Sequence, residues 1–160
     1  MRSWITPEVL QQLRLDPWFS HLPPAYEEAL LAVAVPRRLQ HGEHLFFRGD
    51  PPEGLYAMLE GTLRVSGVTE AGKEAILSLV EAPAWFGEIS VFDRLPRTHN
   101  AVAEGPVRVL HVPQADLLAL LEREPQFWRE LGVLMALRMR LAFINIEDMA
   151  LLPSEVRLAR

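Results

Sequence analysis

The segment Phe86-Gly87-Glu88-Ile89-Ser90-Val91-Phe92, followed after a four-residue link by Arg97-Thr98, decides how this chain is interpreted. Its glycine lets the backbone approach a ligand closely, and a short helix start presents free N–H groups to an anion. The Arg97 guanidinium can donate two parallel hydrogen bonds to a phosphate. Glu88 only accepts hydrogen bonds, so beside a phosphate it needs another donor, and a ribose hydroxyl would serve. The segment therefore predicts a site for a nucleotide.

The composition indicates one domain without disulfides. The chain has 160 residues, of which 49% are hydrophobic, enough for one substantial core. The absence of cysteine excludes disulfides, thiolate catalysis, iron–sulfur ligation and cysteine zinc sites. A net charge of −5 opposes strong non-specific binding to nucleic acid, so we expect any DNA contact to lie outside this chain.

The apolar segments do not predict a leader or a membrane span. Residues 1–15 carry charged side chains among their apolar positions, which is not typical of a signal peptide. The longest apolar run, 131–146, is interrupted by Arg138 and Arg140 and is too short for a comfortable membrane span. We therefore expect a cytoplasmic protein with a buried helix over this run and no membrane partner.

Two helices are predicted before residue 35. Thr6-Pro7 is typical of an N-cap followed by proline at the first helical position. Pro23-Pro24 opens a second helix, which Pro36 ends. Residues 1–34 are accordingly predicted to be the N-terminal helices of the same domain.

Residues 35–124 have the pattern of a β-roll core. Short apolar segments alternate with turns, whose glycines are Gly42, Gly49, Gly61, Gly67, Gly72 and Gly105. We expect strands at 55–59 and 63–65 on either side of Glu60-Gly61, then at 75–80 and 107–112, and a helix over 114–124. Such a series favours an antiparallel jelly roll or barrel, so the predicted fold class is mainly β with flanking α-helices.

A long helix is predicted over 125–150, where apolar residues occupy more than one stripe. Phe127, Leu131, Leu134 and Leu141 mark one face, and Met135, Met139, Ala142, Ile146 and Met149 populate adjoining faces. We expect one side to cover the β-roll and the other to contact a partner helix in a homodimer. Residues 151–160, with Ser154 as an N-cap, are predicted to start a further helix of a truncated C-terminal region.

Taken together, these features resemble the cyclic-nucleotide-binding domain of Crp/Fnr-type bacterial transcription regulators, over roughly residues 35–159. The segments Gly87-Glu88-Ile89 and Arg97-Thr98 are similar to the family's phosphate-binding cassette, in which the glutamate holds the ribose and the arginine the cyclic phosphate. Gly42, Gly61 and Gly72 lie where the family turns its β-roll. The resemblance implies an antiparallel β-roll with a long dimerisation helix, and a cyclic nucleotide, cAMP or cGMP, as allosteric ligand.

The same resemblance implies a set of ligand-binding residues. They are Gly87, Glu88, Ile89, Arg97 and Thr98 in the cassette, Leu77 and Ser78 on a facing strand, and Arg138 on the long helix. Arg138 falls where one member of the family places an arginine near the cassette, and it could either couple ligand to helix position or solvate the edge of the helix.

The chain departs from that family member at the positions expected to contact the base. Ala142 and Phe143 stand where a threonine and a serine contact adenine there. Two hydroxyls that could distinguish adenine are therefore missing, each typically worth about 0.5 to 1.5 kcal/mol. Phe143 could stack on a purine, although an aromatic residue on a buried helix more commonly fills core volume.

The resemblance implies a sensor that acts by allostery. We do not expect an enzyme, because no serine has the nearby histidine and aspartate of a catalytic nucleophile. His41 and His44 lack further metal-ligand types nearby, so no metal site is predicted. The resemblance further implies that DNA would be contacted only through a C-terminal helix-turn-helix domain absent from this chain. Two alternatives stay open: a ligand-independent dimerisation module of the same fold, and a regulatory domain of an enzyme or channel.

Overall fold

The fold was determined as a computed structural model, which describes residues 3–151. The predicted N-cap at Ser154 and the start of a C-terminal region at 152–160 lie outside the described residues. Within the described part, helices flank an antiparallel sheet and a long helix follows, which confirms the predicted fold class.

Three short helices precede the sheet: α1 (Pro7–Leu13), α2 (Pro17–Ser20) and α3 (Pro24–Val33). Thr6 caps α1 as predicted, because its side-chain oxygen accepts from the backbone N–H of Val9 at 3.2 Å. The sequence analysis missed α2. Asp16 caps this helix by accepting from the N–H of Phe19 at 2.9 Å, and a single turn is too short to show an apolar period.

The six strands form one antiparallel sheet: β1 (Val35–Leu39), β2 (His44–Phe46), β3 (Gly54–Val68), β4 (Glu74–Glu81), β5 (Ala84–Phe86) and β6 (Asn100–Pro113). The main path runs β1-β6-β3-β4, while β2 pairs with β6 and β5 pairs with β3. Since β3 and β6 are the long central strands, they carry most of the pairing. The short helix α4 (Glu88–Asp93) lies between β5 and β6.

The prediction of two strands on either side of Glu60-Gly61 is wrong. β3 runs without interruption from Gly54 to Val68, and its register against β6 shifts between Met58 and Glu60 and again between Glu60 and Thr62. These irregularities bend the strand while keeping it paired, which is the usual effect of a β-bulge. Glycine in this strand therefore marks a bend, not a turn.

Side chains of β3 alternate between two buried clusters. Leu55, Ala57 and Leu59 face a cluster built with the N-terminal helices, the final helices and Trp85. Tyr56 and Met58 face a second cluster inside the roll, with residues of β1, β2, β5 and β6. The period of two places successive side chains on opposite faces, so one strand contributes to both cores.

The last two helices are α5 (Gln114–Arg123) and α6 (Phe127–Leu151). In α6 the buried residues are Phe127, Leu131 and Leu134, and the Trp18 indole N–H donates to the Glu130 carbonyl at 2.7 Å. Every described residue from Met139 onward is exposed, including Leu141 at 60% and Ile146 at 64%. The expected buried helix over 131–146 is therefore wrong beyond its first turns, because the rest of α6 extends past the core of its own chain.

Candidate functional site

The predicted cassette begins at a tight junction between two backbone segments. Gly87 precedes α4 with φ of +100°, and a Cβ atom at this position would lie 2.8 Å from the carbonyl oxygen of Gly54. That separation is shorter than any real Cβ contact, and the φ value lies where L side chains are strained. Glycine is therefore required here, and it allows the start of α4 to approach the start of β3.

Glu88 is the first residue of α4, and its side chain is buried at 1% exposure. Both of its carboxylate oxygens accept from Nη1 of Arg138, Oε1 at 2.7 Å and Oε2 at 2.6 Å. The Arg138 side chain itself is 40% exposed. The structure thus brings together two predicted site residues separated by 50 positions, and it joins the cassette to the long helix through an ion pair.

Arg97 lies just before β6 and is buried at 6% exposure. Its Nη2 donates to the Gly54 carbonyl at 3.0 Å, whereas its Nε has no hydrogen-bond partner in the structure. The guanidinium lies over the Phe46 ring at 4.4 Å, and no carboxylate of the described residues forms an ion pair with it. Desolvation by burial lowers the pKa of Arg97, although the nearby Tyr56, Glu53 and Glu88 oppose this effect.

The backbone of Arg97 is held as firmly as its side chain. Its N–H donates to the Asp50 carbonyl at 2.8 Å, and its carbonyl accepts from the Gly49 N–H at 2.8 Å. The turn before β3 therefore fixes where the guanidinium enters the roll. Because Glu88 and Arg97 are both buried, the site offers one acceptor and one cation in a region of low dielectric, where both act strongly on a bound group.

Glu53, Tyr56 and His111 form a hydrogen-bonded cluster beside the Arg97 guanidinium. The Tyr56 hydroxyl donates to Glu53 Oε2 at 2.6 Å, and the Tyr56 ring stacks on His111 with centroids 4.6 Å apart. Nε2 of His111 lies 2.8 Å from the Glu53 carbonyl, to which it must donate. Burial raises the pKa of Tyr56 and lowers the pKa of His111, so both side chains stay neutral near pH 7.

The other predicted site residues lie at the surface. Thr98 is exposed with its Oγ1 2.9 Å from Nδ1 of His99, and Ile89 is 51% exposed on α4. On β4, Leu77 is 60% exposed and Ser78 is exposed, and neither side chain hydrogen-bonds to the buried pair Glu88 and Arg97. Their roles as ligand contacts stay predictions.

The two positions expected near a base are also exposed. Phe143 is 62% exposed and Ala142 is exposed, so neither side chain is part of the core of this chain. The interpretation of Phe143 as core filling is therefore wrong, because α6 has left the body of the domain at this point. A role in stacking stays a prediction.

Sequence analysis missed Glu53, Tyr56 and His111. Glu53-Gly54 directly precedes an apolar strand, and the two other residues interrupt apolar strands with a polar side chain. A polar side chain among buried positions needs a hydrogen-bond partner. The polar residues within these apolar strands were therefore the sequence signal that could have identified the cluster. The partners lie 3 and 58 residues apart in sequence, so their identity depends on the strand register.

Outside the cassette, metal sites, membrane-spanning helices and cavities are the features of the described residues that could carry a function. No group of three or more His, Asp or Glu side chains among residues 3–151 could hold a metal ion. No helix within that range is sufficiently long and apolar to cross a membrane. A cavity of about 720 Å³ lies between α1 and α3, lined partly by Ile5, Leu10 and Leu31, but it contains neither Glu88 nor Arg97. Since buried charges mark the cassette, we take the cassette as the functional site.

Comparison with known proteins identifies the family of this chain. The family model described as the cyclic nucleotide-binding domain matches residues 36–124. The cyclic AMP receptor protein of Thermus thermophilus is 30% identical over 132 residues, which make up 82% of this chain and 61% of that protein. The global nitrogen regulator of Nostoc sp. is 32% identical over 94 residues, 58% of this chain and 42% of that protein.

A solved structure of a related protein is also similar to this chain. The crystal structure of the Thermus thermophilus catabolite activator protein matches with a TM-score of 0.69 and 30% identity, over 84% of this chain and 63% of that chain. The present chain thus spans 61% of the cyclic AMP receptor protein and a smaller share of the nitrogen regulator. Because the family model covers residues 36–124 of the 160, the chain belongs to the cyclic nucleotide-binding domain family and is related to regulators of the Crp/Fnr type.

Proposed function

We propose that this chain is the sensor domain of a bacterial transcription regulator, with a cyclic nucleotide, cAMP in the first place, as its allosteric ligand. The observation that carries this proposal is the state of Arg97. Arg97 is buried at 6% exposure, and among residues 3–151 its guanidinium makes one hydrogen bond, to a carbonyl, while Nε has no partner. A buried cation without an ion-pair partner is unfavourable, and an anionic ligand would supply the missing charge.

In this proposal the cyclic phosphate binds Arg97 and the backbone near Gly87. The ribose hydroxyl donates to Glu88, whose carboxylate is already bound by Arg138. The ligand and α6 therefore meet at the same carboxylate, and ligand binding changes the contact that ties α6 to the cassette. A ligand with different contacts in two arrangements of α6 shifts the balance between them.

The exposed part of α6 supports a homodimer. Leu137, Leu141, Ile144 and Phe143 are large apolar side chains exposed by 39 to 62%. Such a surface is typical of a helix that packs against a partner, and a two-fold dimer matches a two-fold DNA site. DNA contact would come from a further domain, in line with the 61% of the cyclic AMP receptor protein that the chain spans. We expect the whole protein to act in the cytoplasm without catalysing a reaction.

Isothermal titration calorimetry of cAMP and cGMP tests the phosphate contact. Arg97→Ala should weaken cAMP binding about 100-fold, since two charge-assisted hydrogen bonds of about 1.5 kcal/mol each are lost. The control is Arg48→Ala, which removes the same charge from an exposed side chain and should leave affinity unchanged. Equal binding by the wild-type protein and Arg97→Ala would contradict the assigned contact.

One observation favours a second candidate, a ligand-independent dimerisation module. Both carboxylate oxygens of Glu88 accept from Arg138, so the fold itself supplies a donor to this carboxylate. In that case sedimentation would show a stable dimer while neither nucleotide raises the melting temperature. A ligand that binds the native state must raise it, by mass action.

A further inference from the structure

The carbonyl of Gly54 lies where the two halves of the cassette meet. It accepts from Nη2 of Arg97 at 3.0 Å, and it is the atom nearest to the place where a Cβ of Gly87 would stand, at 2.8 Å. The only hydrogen bond of the Arg97 guanidinium within the described residues therefore runs to this carbonyl. Where the Gly54 carbonyl points determines where the guanidinium points.

Three contacts hold Glu53, the residue before Gly54, in place. The Glu53 carbonyl accepts from the backbone N–H of Gln114 at 2.9 Å and from Nε2 of His111 at 2.8 Å. The Glu53 carboxylate accepts from the Tyr56 hydroxyl at 2.6 Å. Gly54 also leaves no room to shift toward β6, because a Cβ there would lie 2.1 Å from the Val112 carbonyl oxygen. Two of these three contacts come from side chains.

The same two side chains pack behind the cation. Tyr56 is fully buried and stacks between His111, at 4.6 Å, and Phe86, at 5.6 Å between ring centroids. The Arg97 guanidinium lies 5.7 Å from the centre of the Tyr56 ring. Movement of either ring would therefore move both the Glu53-Gly54 peptide and the surface on which the guanidinium rests.

From this arrangement we propose that His111 and Tyr56 are positioning residues for phosphate recognition, acting on Arg97 through Glu53 and the carbonyl of the next residue, Gly54. The inference rests on the proposed function, since it assumes that Arg97 binds the phosphate of a cyclic nucleotide. It adds that affinity is set by residues that do not touch the ligand. Loss of the donor from His111 lets the Glu53-Gly54 peptide tilt, and the Gly54 carbonyl in the next peptide shifts with it. The guanidinium that donates to this carbonyl then spends less time in the productive position.

The test measures cAMP affinity by calorimetry in the full chain. His111→Leu removes the donor and should weaken binding about tenfold, the effect of roughly one lost hydrogen bond. His111→Gln keeps an N–H that can reach the same carbonyl and should restore affinity to within about twofold. Leu110→Val on the same strand is the stability control, because its side chain is buried in the other cluster, which contains neither Tyr56 nor Phe46.

A double-mutant cycle separates positioning from general damage. In an Arg97→Ala background, His111→Leu should cause no further loss of affinity if it acts through the guanidinium. Independent losses in the cycle, or a loss by Leu110→Val equal to that of His111→Leu, would overturn the inference. If Arg97→Ala weakens binding and His111→Leu does not, only this inference fails. If the wild-type protein binds no cyclic nucleotide, the proposed function fails, and the inference with it.

Discussion

The ion pair between Glu88 and Arg138 allows a quantitative prediction. Arg138→Met removes the guanidinium but keeps an unbranched stem along the helix. Glu88 is then left at 1% exposure without the one side chain among the described residues that donates to its carboxylate. A buried carboxylate without a donor is costly, so we expect the free energy of unfolding to fall.

The size of this loss follows from the burial of the two partners. Breaking a fully buried pair typically costs about 3 to 5 kcal/mol, whereas a pair on the surface contributes about 0 to 1 kcal/mol. Here one partner is buried at 1% and the other is 40% exposed, so water screens the pair from one side only. An intermediate loss of about 2 kcal/mol is therefore expected for Arg138→Met.

Urea unfolding followed by tryptophan fluorescence measures the change, and the chain has four tryptophans. With a slope of about 2 kcal/mol per molar urea, the midpoint should fall by about 1 M. Arg140→Met is the matched control, because this neighbouring arginine is exposed and forms no ion pair among the described residues. Glu88→Gln combined with Arg138→Met should recover more than half of the loss, since a neutral amide costs less to bury than a charge.

Two results would refute this reasoning. The first is an equal, small change in Arg138→Met and Arg140→Met, which would mean that the pair is solvated in solution. The second is a double variant no more stable than Arg138→Met alone, which would mean that the loss comes from packing of the arginine stem and not from the orphaned carboxylate.

Three further predictions follow from single residues. Gly87→Ala should cost about 1 to 3 kcal/mol, given its φ of +100° and the 2.8 Å contact, while Gly132→Ala in open space on α6 should gain up to about 1 kcal/mol in thermal unfolding. Asp16→Ala should lose about 1 kcal/mol of N-cap stabilisation, and Asp16→Asn should keep most of it when both are compared in urea. Burial lowers the pKa of His111 below 6.5, so the unfolded chain takes up the proton first and the stability of the ligand-free protein should fall as the pH drops through 6.5. His111→Gln should flatten that part of the curve of melting temperature against pH, and an unchanged slope would exclude His111 as its cause.

Local signals explain which parts of the fold could be predicted. The cap at Thr6, the proline at the start of α1 and the cassette around Gly87 each depend on a few neighbouring residues. The antiparallel roll likewise follows from short apolar segments separated by turns. The prediction of two strands around Gly61 is wrong because a bulge and a turn use the same residue types. Only the strand with which the segment pairs distinguishes them.

The site could be predicted only in part, because its decisive contacts are distant in sequence. Spacing placed Arg138 on the long helix but could not assign its rotamer, and the contact with Glu88 spans 50 residues. The support of Arg97 by Gly54 spans 43 residues and depends on how the turn before β3 folds. No pattern within one segment contains such information.

The alternation of side chains along β3 has a consequence for how the domain comes apart. Leu55 and Leu59 anchor the helical layer, and Tyr56 and Met58, on the neighbouring positions, anchor the interior of the roll. Both layers share this strand, so loss of β3 removes both at once. Amide hydrogens of the helical layer and of the roll should therefore exchange with solvent in a single cooperative opening, so that this small domain behaves as one foldon.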